Sequence, residues 1–452
     1  MTLATNSPTP LGHHLRRTVV LALPVMLARV GLVVMLTVDT IFAGRAGGNQ
    51  LAYIGISMGV QLILLAIGIG LLVGALVLTA QAQGAGRPED CGRIWWLSLL
   101  LALVLGCIYA AIEWQGAGLL SLLRQEPDIA AGGGAALRMW AIGMPGVMLY
   151  MATSSFFEGI SRPITPMVVC IAGNLVNLAL GWLLTFGAGA IAPMGASGAV
   201  LATSITLWLM FAALAIRALL LRDATALGVH SPLGGHFYLL GKILLLGLPV
   251  ALSVGFETSA FSGASIIAGW IGRTPLAAYQ LANNVTSFFY MLSLGLATAA
   301  AVRVGNAIGR GEPHNVARAG WVAVQLVIGV MLLVGVCLSQ LRDPIAAAYT
   351  GDAEVLQAAS PVLALLAVLI IFDGTQSVLM GALRGAGDVI VPTGIYAIAF
   401  GGCAIPLSYY LGYLQGQGAI GIVLGLVAGL LAAAILLGLR FAWVSHRTLS
   451  AR

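Results

Sequence analysis

The sequence predicts an all-α, polytopic membrane protein with twelve transmembrane helices in two pseudo-symmetric six-helix lobes, and three observations carry that prediction. First, 60% of the 452 residues are hydrophobic and only 8% are charged, against roughly 25% charged in soluble proteins. Second, segments of about 20 apolar residues recur from end to end, each able to cross a hydrocarbon core of ~30 Å. Third, the second half of the chain repeats the first.

The spans are expected near 15–44, 50–80, 92–113, 129–158, 164–187, 195–221, 239–270, 275–307, 316–340, 353–382, 388–412 and 418–443. The 59 glycines suit membrane helices that pack closely through small residues. The first apolar segment is too long for a signal peptide, carries Arg29 and Asp39, and has no small-residue cleavage site after a short apolar core. It is therefore expected to stay as the first span. With the N-terminus in the cytoplasm, fifteen Lys and Arg residues fall inside and five (Arg45, Arg124, Arg138, Arg273 and Arg342) outside, with Arg29 left in the membrane. That bias satisfies the positive-inside rule and predicts cytoplasmic termini. The formal net charge of +6 is then a topology signal rather than a nucleic-acid footprint.

The repeat is explicit. LALPVMLARVGLVVMLTVDTIFAGRAGGNQLA (21–52) aligns without a gap to LGLPVALSVGFETSAFSGASIIAGWIGRTPLA (246–277), which pairs Pro24 with Pro249 and Gly47 with Gly272. QGAGRPEDCGRIWW (83–96) parallels NAIGRGEPHNVARAGW (306–321), and FFEGISRPITP (156–166) parallels ALRGAGDVIVP (382–392). An even number of spans per half keeps both lobes in one orientation, an arrangement of alternating-access transporters with substrate bound between the repeats. The expected lobes are 1–225 and 239–452, joined by a cytoplasmic linker at 226–238.

Three acids lie in these apolar stretches: Asp39, Glu257 and Asp373. A carboxylate near the bilayer centre costs at least ~2.5–3.5 kcal/mol, so such residues usually carry protons or bind cations. Under the repeat, Glu257 falls opposite Leu32 and Asp39 opposite Ala264, so the two acids are not equivalents. They sit seven positions apart, on about one helix face and separated in depth by roughly 10 Å. Glu257 and Asp373 are expected to approach each other in the second lobe, where two carboxylates can share a proton or a monovalent cation. The competing reading is a neutral, hydrogen-bonded packing role.

Weaker polar candidates are Asn177, Asn174 and Thr206 in the first lobe, and Gln280, Asn283 and Asn284 in the second. Asn177, Gln280 and Asn284 are the expected supporting network. Arg29 is expected to pair with an acid, snorkel to lipid phosphates or contact substrate. Glu113 and Glu158, near span ends, are expected to be interfacial. Pro24 and Pro249 should loosen spans 1 and 7 and are candidate hinges. The five scattered cysteines show no metal-ligand spacing and read as packing residues. The six histidines fall in predicted inside segments and read as solvated surface. No metal site is expected beyond transient Na+ at Glu257 and Asp373.

VDTIFAG in span 1, LGLPVALSVGFE in span 7, FDGTQSVLMGALRGAGD in spans 10–11, QAQGAGR after span 2 and RVGNAIGRGE after span 8 resemble the multidrug and toxic compound extrusion (MATE) transporters. The likeness covers almost the whole chain and is closer to the NorM-type branch, whose span-7 Glu, span-10 Asp and span-1 Asp are matched by Glu257, Asp373 and Asp39. It implies antiport, in which Na+ or H+ enters while an organic, often cationic, drug leaves, with Asn177 in the polar network of the span-1 Asp. It implies no cofactor other than the coupling ion. Small organic substrates and the lipid bilayer are the expected partners, without nucleic acid, for a monomer in a bacterial-type inner membrane. Three positions depart from the pattern: Leu369 stands where some members have a Tyr, Gly181 where the family has a second Asn, and Arg29 where a small residue is usual. A flippase for lipid-linked precursors is the alternative, and it would favour a more basic cavity. A membrane enzyme would need a clustered nucleophile and base or metal ligands, and a channel would need a filter-like segment.

Overall fold

A computed structural model describes residues 11–189, 192–231, 237–350 and 352–450, with the side chains of 11, 13 and 448–450 outside that description. Among the described residues, twelve helical segments are long and apolar enough to span a membrane. They comprise α1 (Leu11–Ala46), α2 (Gly48–Gly84), α3 (Pro88–Trp114), α5 (Pro127–Gly159), α6 (Ile164–Phe186), α7 (Ala196–Leu219), α8 (Tyr238–Ile271), α9 (Arg273–Arg310), α10 (Pro313–Tyr349) and α11 (Ala353–Gly385). The eleventh span runs from α12 (Ile390–Tyr396) through a π-helical turn (Ala397–Ala404), α13 (Ile405–Ser408) and a second π turn (Tyr409–Leu414), and α14 (Gly418–Ser450) is the twelfth. A short α4 (Gly116–Leu122) follows α3. Several helices outrun the bilayer: the 38 residues of α9 correspond to roughly 57 Å at 1.5 Å per residue.

Local chemistry sets the helix ends. Pro88, Pro127 and Pro313 open α3, α5 and α10 at positions where a missing N–H costs nothing. Asp352 caps α11, its side chain accepting from the Glu354 N–H at 3.0 Å. Gly47 and Gly272, paired by the repeat, turn the chain between α1 and α2 and between α8 and α9 with φ of 144° and 150°. A side chain at either position would be strained, so the repeat is conserved down to its turn chemistry.

The chain divides into two compact units, one of Leu27–Ala251 and one of Met1–Met26 with Leu252–Arg452. These do not follow the expected 1–225 and 239–452 division. In α1 and in α8 the chain changes unit at the same repeat position, two residues beyond Pro24 and Pro249. The expected linker differs too. Leu227 and Val229 are buried in the first unit, where Gly92 N–H donates to Leu227 O at 2.7 Å and Trp96 Nε1 to Val229 O at 2.8 Å. Residues 232–236 of that linker lie outside the described residues. Just before it, Arg162 holds Asp223 with bonds of 2.9 and 2.6 Å and keeps that carboxyl below its ordinary value.

The first unit's core is aromatic, with Trp95, Trp140, Tyr150, Phe156 and Phe157 fully buried on α3 and α5. In the second unit, Gly381 and Gly385 bring α11 against the backbone of α9 at Ala297 and Ala301, where any Cβ would clash. The first part of α1 belongs to this second unit. Arg303 on α9 donates to His14 O at 3.0 Å and to the Thr18 hydroxyl. His14 is thus buried rather than solvated surface, a correction, while His230, His314 and His446 are exposed. Large apolar side chains such as Ile63, Leu175, Leu333 and Val336 are exposed on the outer faces, as lipid contact requires.

Candidate functional site

In the second unit, Glu257 on α8 and Asp373 on α11 are both buried and share one partner. Gln376 Nε2 donates to Glu257 Oε1 at 2.9 Å and to Asp373 Oδ1 at 3.3 Å. The Gln376 carbonyl accepts from the Tyr396 hydroxyl, and Tyr290 on α9 donates to Glu257 Oε2 at 3.4 Å. Each part has a structural origin. Gln376 lies three residues after Asp373, so both share a face of α11. The glycine contacts described above hold α9 against α11, one to two turns further along. Tyr396 is the last residue before the π turn, a distortion that re-aims neighbouring side chains.

Asp39 forms a separate site in the first unit and is fully buried. Thr203 on α7 donates to Asp39 Oδ2. Asn177 on α6 donates to Asp39 Oδ1 at 3.5 Å and to the Thr203 hydroxyl at 2.6 Å. Three helices therefore close a triangle around one carboxylate. Thr203→Val is expected to lower the unfolding temperature of the purified protein, because it removes a hydrogen bond to a buried acid worth about 1.5–3 kcal/mol. Thr203→Ser should restore it; equal stability of the Val and Ser variants would refute the triangle.

Other residues singled out in the sequence fall elsewhere. Arg29 pairs with Glu158 of α5 at 3.3 and 3.4 Å and reaches Met151 Sδ at 3.3 Å. Glu158 also accepts from the Ser154 hydroxyl at 3.0 Å. Glu158 and Glu113 are 2% and 0% exposed. Each lies near a helix end, but the neighbouring helices of the unit cover it. Gln280 bonds Ser265 at 2.6 Å, and Asn284 accepts from Tyr349 at 2.8 Å, both in exposed surroundings. Neither joins the acids, since they precede Tyr290 on α9 by about 15 and 9 Å of helix rise. Asn174 bonds its own helix at Cys170 O, and Thr206 does likewise at Ala202 O. Pro24 and Pro249 sit inside continuous helices. Leu369 is buried, and Gly181 sits against Phe42. Cys91 and Cys170 are buried, whereas Cys107 and Cys337 are exposed.

Two buried carboxylates bridged by one amide, with two phenols beside them, form a site of oxygen ligands that can take up a proton or a monovalent cation. Sequence reasoning missed Gln376, Tyr290, Tyr396 and Thr203. Gln376 was findable from its i, i+3 relation to Asp373. The others come from different helices, and their rotation carries no local signal.

The sequence profile of the MatE family matches residues 24–183 and 249–410, two blocks that begin at the paired prolines. A relative from Xanthomonas campestris pv. campestris named "Probable multidrug resistance protein NorM" is 34% identical over 98% of this chain and 97% of its own. One of the same name from Caulobacter vibrioides is 32% identical over 94% and 91%. The fold is similar to the crystal structure of the eukaryotic MATE transporter AtDTX14, with a TM-score of 0.88 and 19% identity over 97% of this chain and 98% of that one. It is equally similar to an outward-facing multidrug resistance MATE family transporter of the MOP superfamily, with a TM-score of 0.88 and 20% identity over 97% and 96%.

Proposed function

Because the chain belongs to the MatE family, whose members are transporters and not enzymes, we propose that it is a secondary active multidrug exporter. It expels organic, often cationic, compounds in exchange for Na+ or H+ by alternating access. The observation that carries this reading is the Gln376 amide shared by Glu257 and Asp373. Binding a cation or proton there changes the charge of a buried group, and that change favours whichever conformation accommodates it. The names of the bacterial relatives support drug efflux as the activity. Asp39 with Asn177 and Thr203 is a second coupling candidate. The protein needs no cofactor besides its coupling ion, works as a monomer in a bacterial inner membrane, and keeps both termini in the cytoplasm.

The flippase alternative loses support from Arg29. The basic group that such a cavity would use is engaged by Glu158. The test is efflux of a fluorescent organic cation from proteoliposomes under an imposed Na+ or pH gradient. Asp39→Asn, Glu257→Gln and Asp373→Asn are compared with the wild type. Gradient-driven efflux is expected in the wild type, with coupling lost in at least one variant. Normal transport by all three variants would reject the coupling assignment, and no response to either gradient would reject antiport.

A further inference from the structure

Away from the acid site, the second unit has a hollow of about 460 Å³ lined by Ala386, Gly387, Asp388, Arg440, Trp443 and Arg447. That volume lies in the range of small-molecule sites. α11 packs on α14, and the chain that follows α11 supplies one wall. Gly387, with φ of 81°, turns that chain, and the Asp388 N–H donates back to Leu383 O at 3.0 Å. Ala386 and Gly387 add no side chain larger than a methyl to the wall, which leaves room beside the Asp388 carboxylate.

The opposite wall sits at a defined depth. Residues 418–439 of α14 carry no charge and rise roughly 33 Å, enough to cross a hydrocarbon core of ~30 Å. Arg440 therefore stands where the hydrocarbon ends, and Arg447 follows roughly 10 Å further out, among the headgroups. The i+3 and i+4 spacings put Arg440, Trp443 and Arg447 on one helix face. Trp443 is 48% exposed, at the depth where membrane indoles gather. Just below, Leu439 and Ile435 are 64% and 53% exposed, an apolar surface for acyl chains.

The charges on these walls do not balance. The Arg440 guanidinium lies 4.4 Å and the Arg447 guanidinium 5.1 Å from the Trp443 ring centre, so one indole holds two cations. The sum of those distances keeps the two within 9.5 Å of each other. Arg440 Nε donates to Asp388 Oδ2 at 2.6 Å, and Asp388 is the one carboxylate in the lining. Arg447 is exposed and has only the ring as a partner among the described residues. Two cations against one carboxylate leave one positive charge and a surplus of N–H donors.

We propose that this hollow binds the phosphate of an anionic phospholipid, with Arg440 and Arg447 as its donors. A phosphodiester carries the single negative charge that the lining lacks, and guanidinium groups match its oxygens with charge-assisted hydrogen bonds. The exposed Leu439 and Ile435 favour a lipid over a soluble anion. Phosphatidylglycerol fits the charge count, because its headgroup adds no cation. Phosphatidylcholine fits poorly, because choline would bring a third cation to an indole that already holds two. The site requires the membrane-spanning fold but not the transport activity.

The test is native mass spectrometry of the full-length protein in detergent, titrated with phosphatidylglycerol or phosphatidylcholine. Arg447→Gln should bind the first phosphatidylglycerol at least ~5-fold more weakly than wild type, the share of one arginine near a lipid surface. Without lipid it should unfold within a few degrees of wild type, because its side chain has no intramolecular hydrogen bond to lose. Arg342→Gln removes an exposed arginine outside the hollow and should match wild type. Phosphatidylcholine should bind wild type more weakly and ignore the Arg447 substitution. Equal phosphatidylglycerol affinity in wild type and Arg447→Gln would overturn the site. An equal loss in Arg342→Gln, or equal affinity of wild type for the two lipids, would do the same. Early unfolding of lipid-free Arg447→Gln would reduce the residue to a structural role, and displacement of the lipid by millimolar inorganic phosphate would make the ligand a free anion.

Discussion

Glu158→Gln is expected to destabilise the first compact unit by about 3 kcal/mol, the lower end of the range for leaving one member of a buried ion pair alone. The lower end applies because the pair is long, at 3.3 and 3.4 Å, and Arg29 keeps 17% of its side chain exposed. The cost comes from the guanidinium left behind, whose remaining polar contact within the unit is Met151 Sδ. The double variant Arg29→Met/Glu158→Leu should therefore recover more than half of the loss, since apolar replacement of a whole buried pair is often neutral. Thermal unfolding of the detergent-solubilised single and double variants decides the matter. Strictly additive losses would mean that the pair contributes no mutual stabilisation.

Gln376→Leu is expected to reduce ion-driven efflux by at least ~10-fold. It strips a 2.9 Å donor from Glu257 and a 3.3 Å donor from Asp373, and it leaves the Tyr396 hydroxyl without its acceptor. Hydrogen bonds to charged groups contribute about 1.5–3 kcal/mol each, and 1.4 kcal/mol is already a factor of ten in an equilibrium. Gln280→Leu and Asn284→Leu, by contrast, should transport within about two-fold of wild type, because their bonds go to Ser265 and Tyr349 and not to the acids. Gradient-driven efflux from proteoliposomes compares all three. A Gln376→Leu variant with normal coupling would remove the shared amide from the mechanism.

The contrast between Gln376 and Gln280 shows how far the chain could be read. Both are polar residues in apolar helices, and composition treats them alike. Gln376 sits three residues from Asp373 and so shares its face of α11. Gln280 lies on another helix, where a span boundary uncertain by several residues rotates a side chain by hundreds of degrees. The same uncertainty hid Thr203: the neighbouring Thr206 was as good a candidate until α7 took its place against α1 and α6. The burial of Glu113 and Glu158 was hidden for a related reason. Distance from a helix end measures depth in the bilayer, whereas their burial depends on which helices of the unit cover them.

The sequence by itself determined the membrane environment, the twelve helices, the two-fold repeat with its paired prolines and turn glycines, and the three acids that no lipid-facing helix would carry without use. These follow from run length, periodicity and the cost of burying charge, all of which are local or one-dimensional. Only the tertiary structure decided that one amide joins Glu257 to Asp373, that Thr203 completes the Asp39 triangle, and that Arg29 belongs to Glu158. It also decided that each compact unit takes up its stretch of α1 or α8 two residues beyond a proline. A hydrogen bond requires two groups within about 3 Å at the right angle, and that precision arises only when helix rotation, depth and packing are settled together.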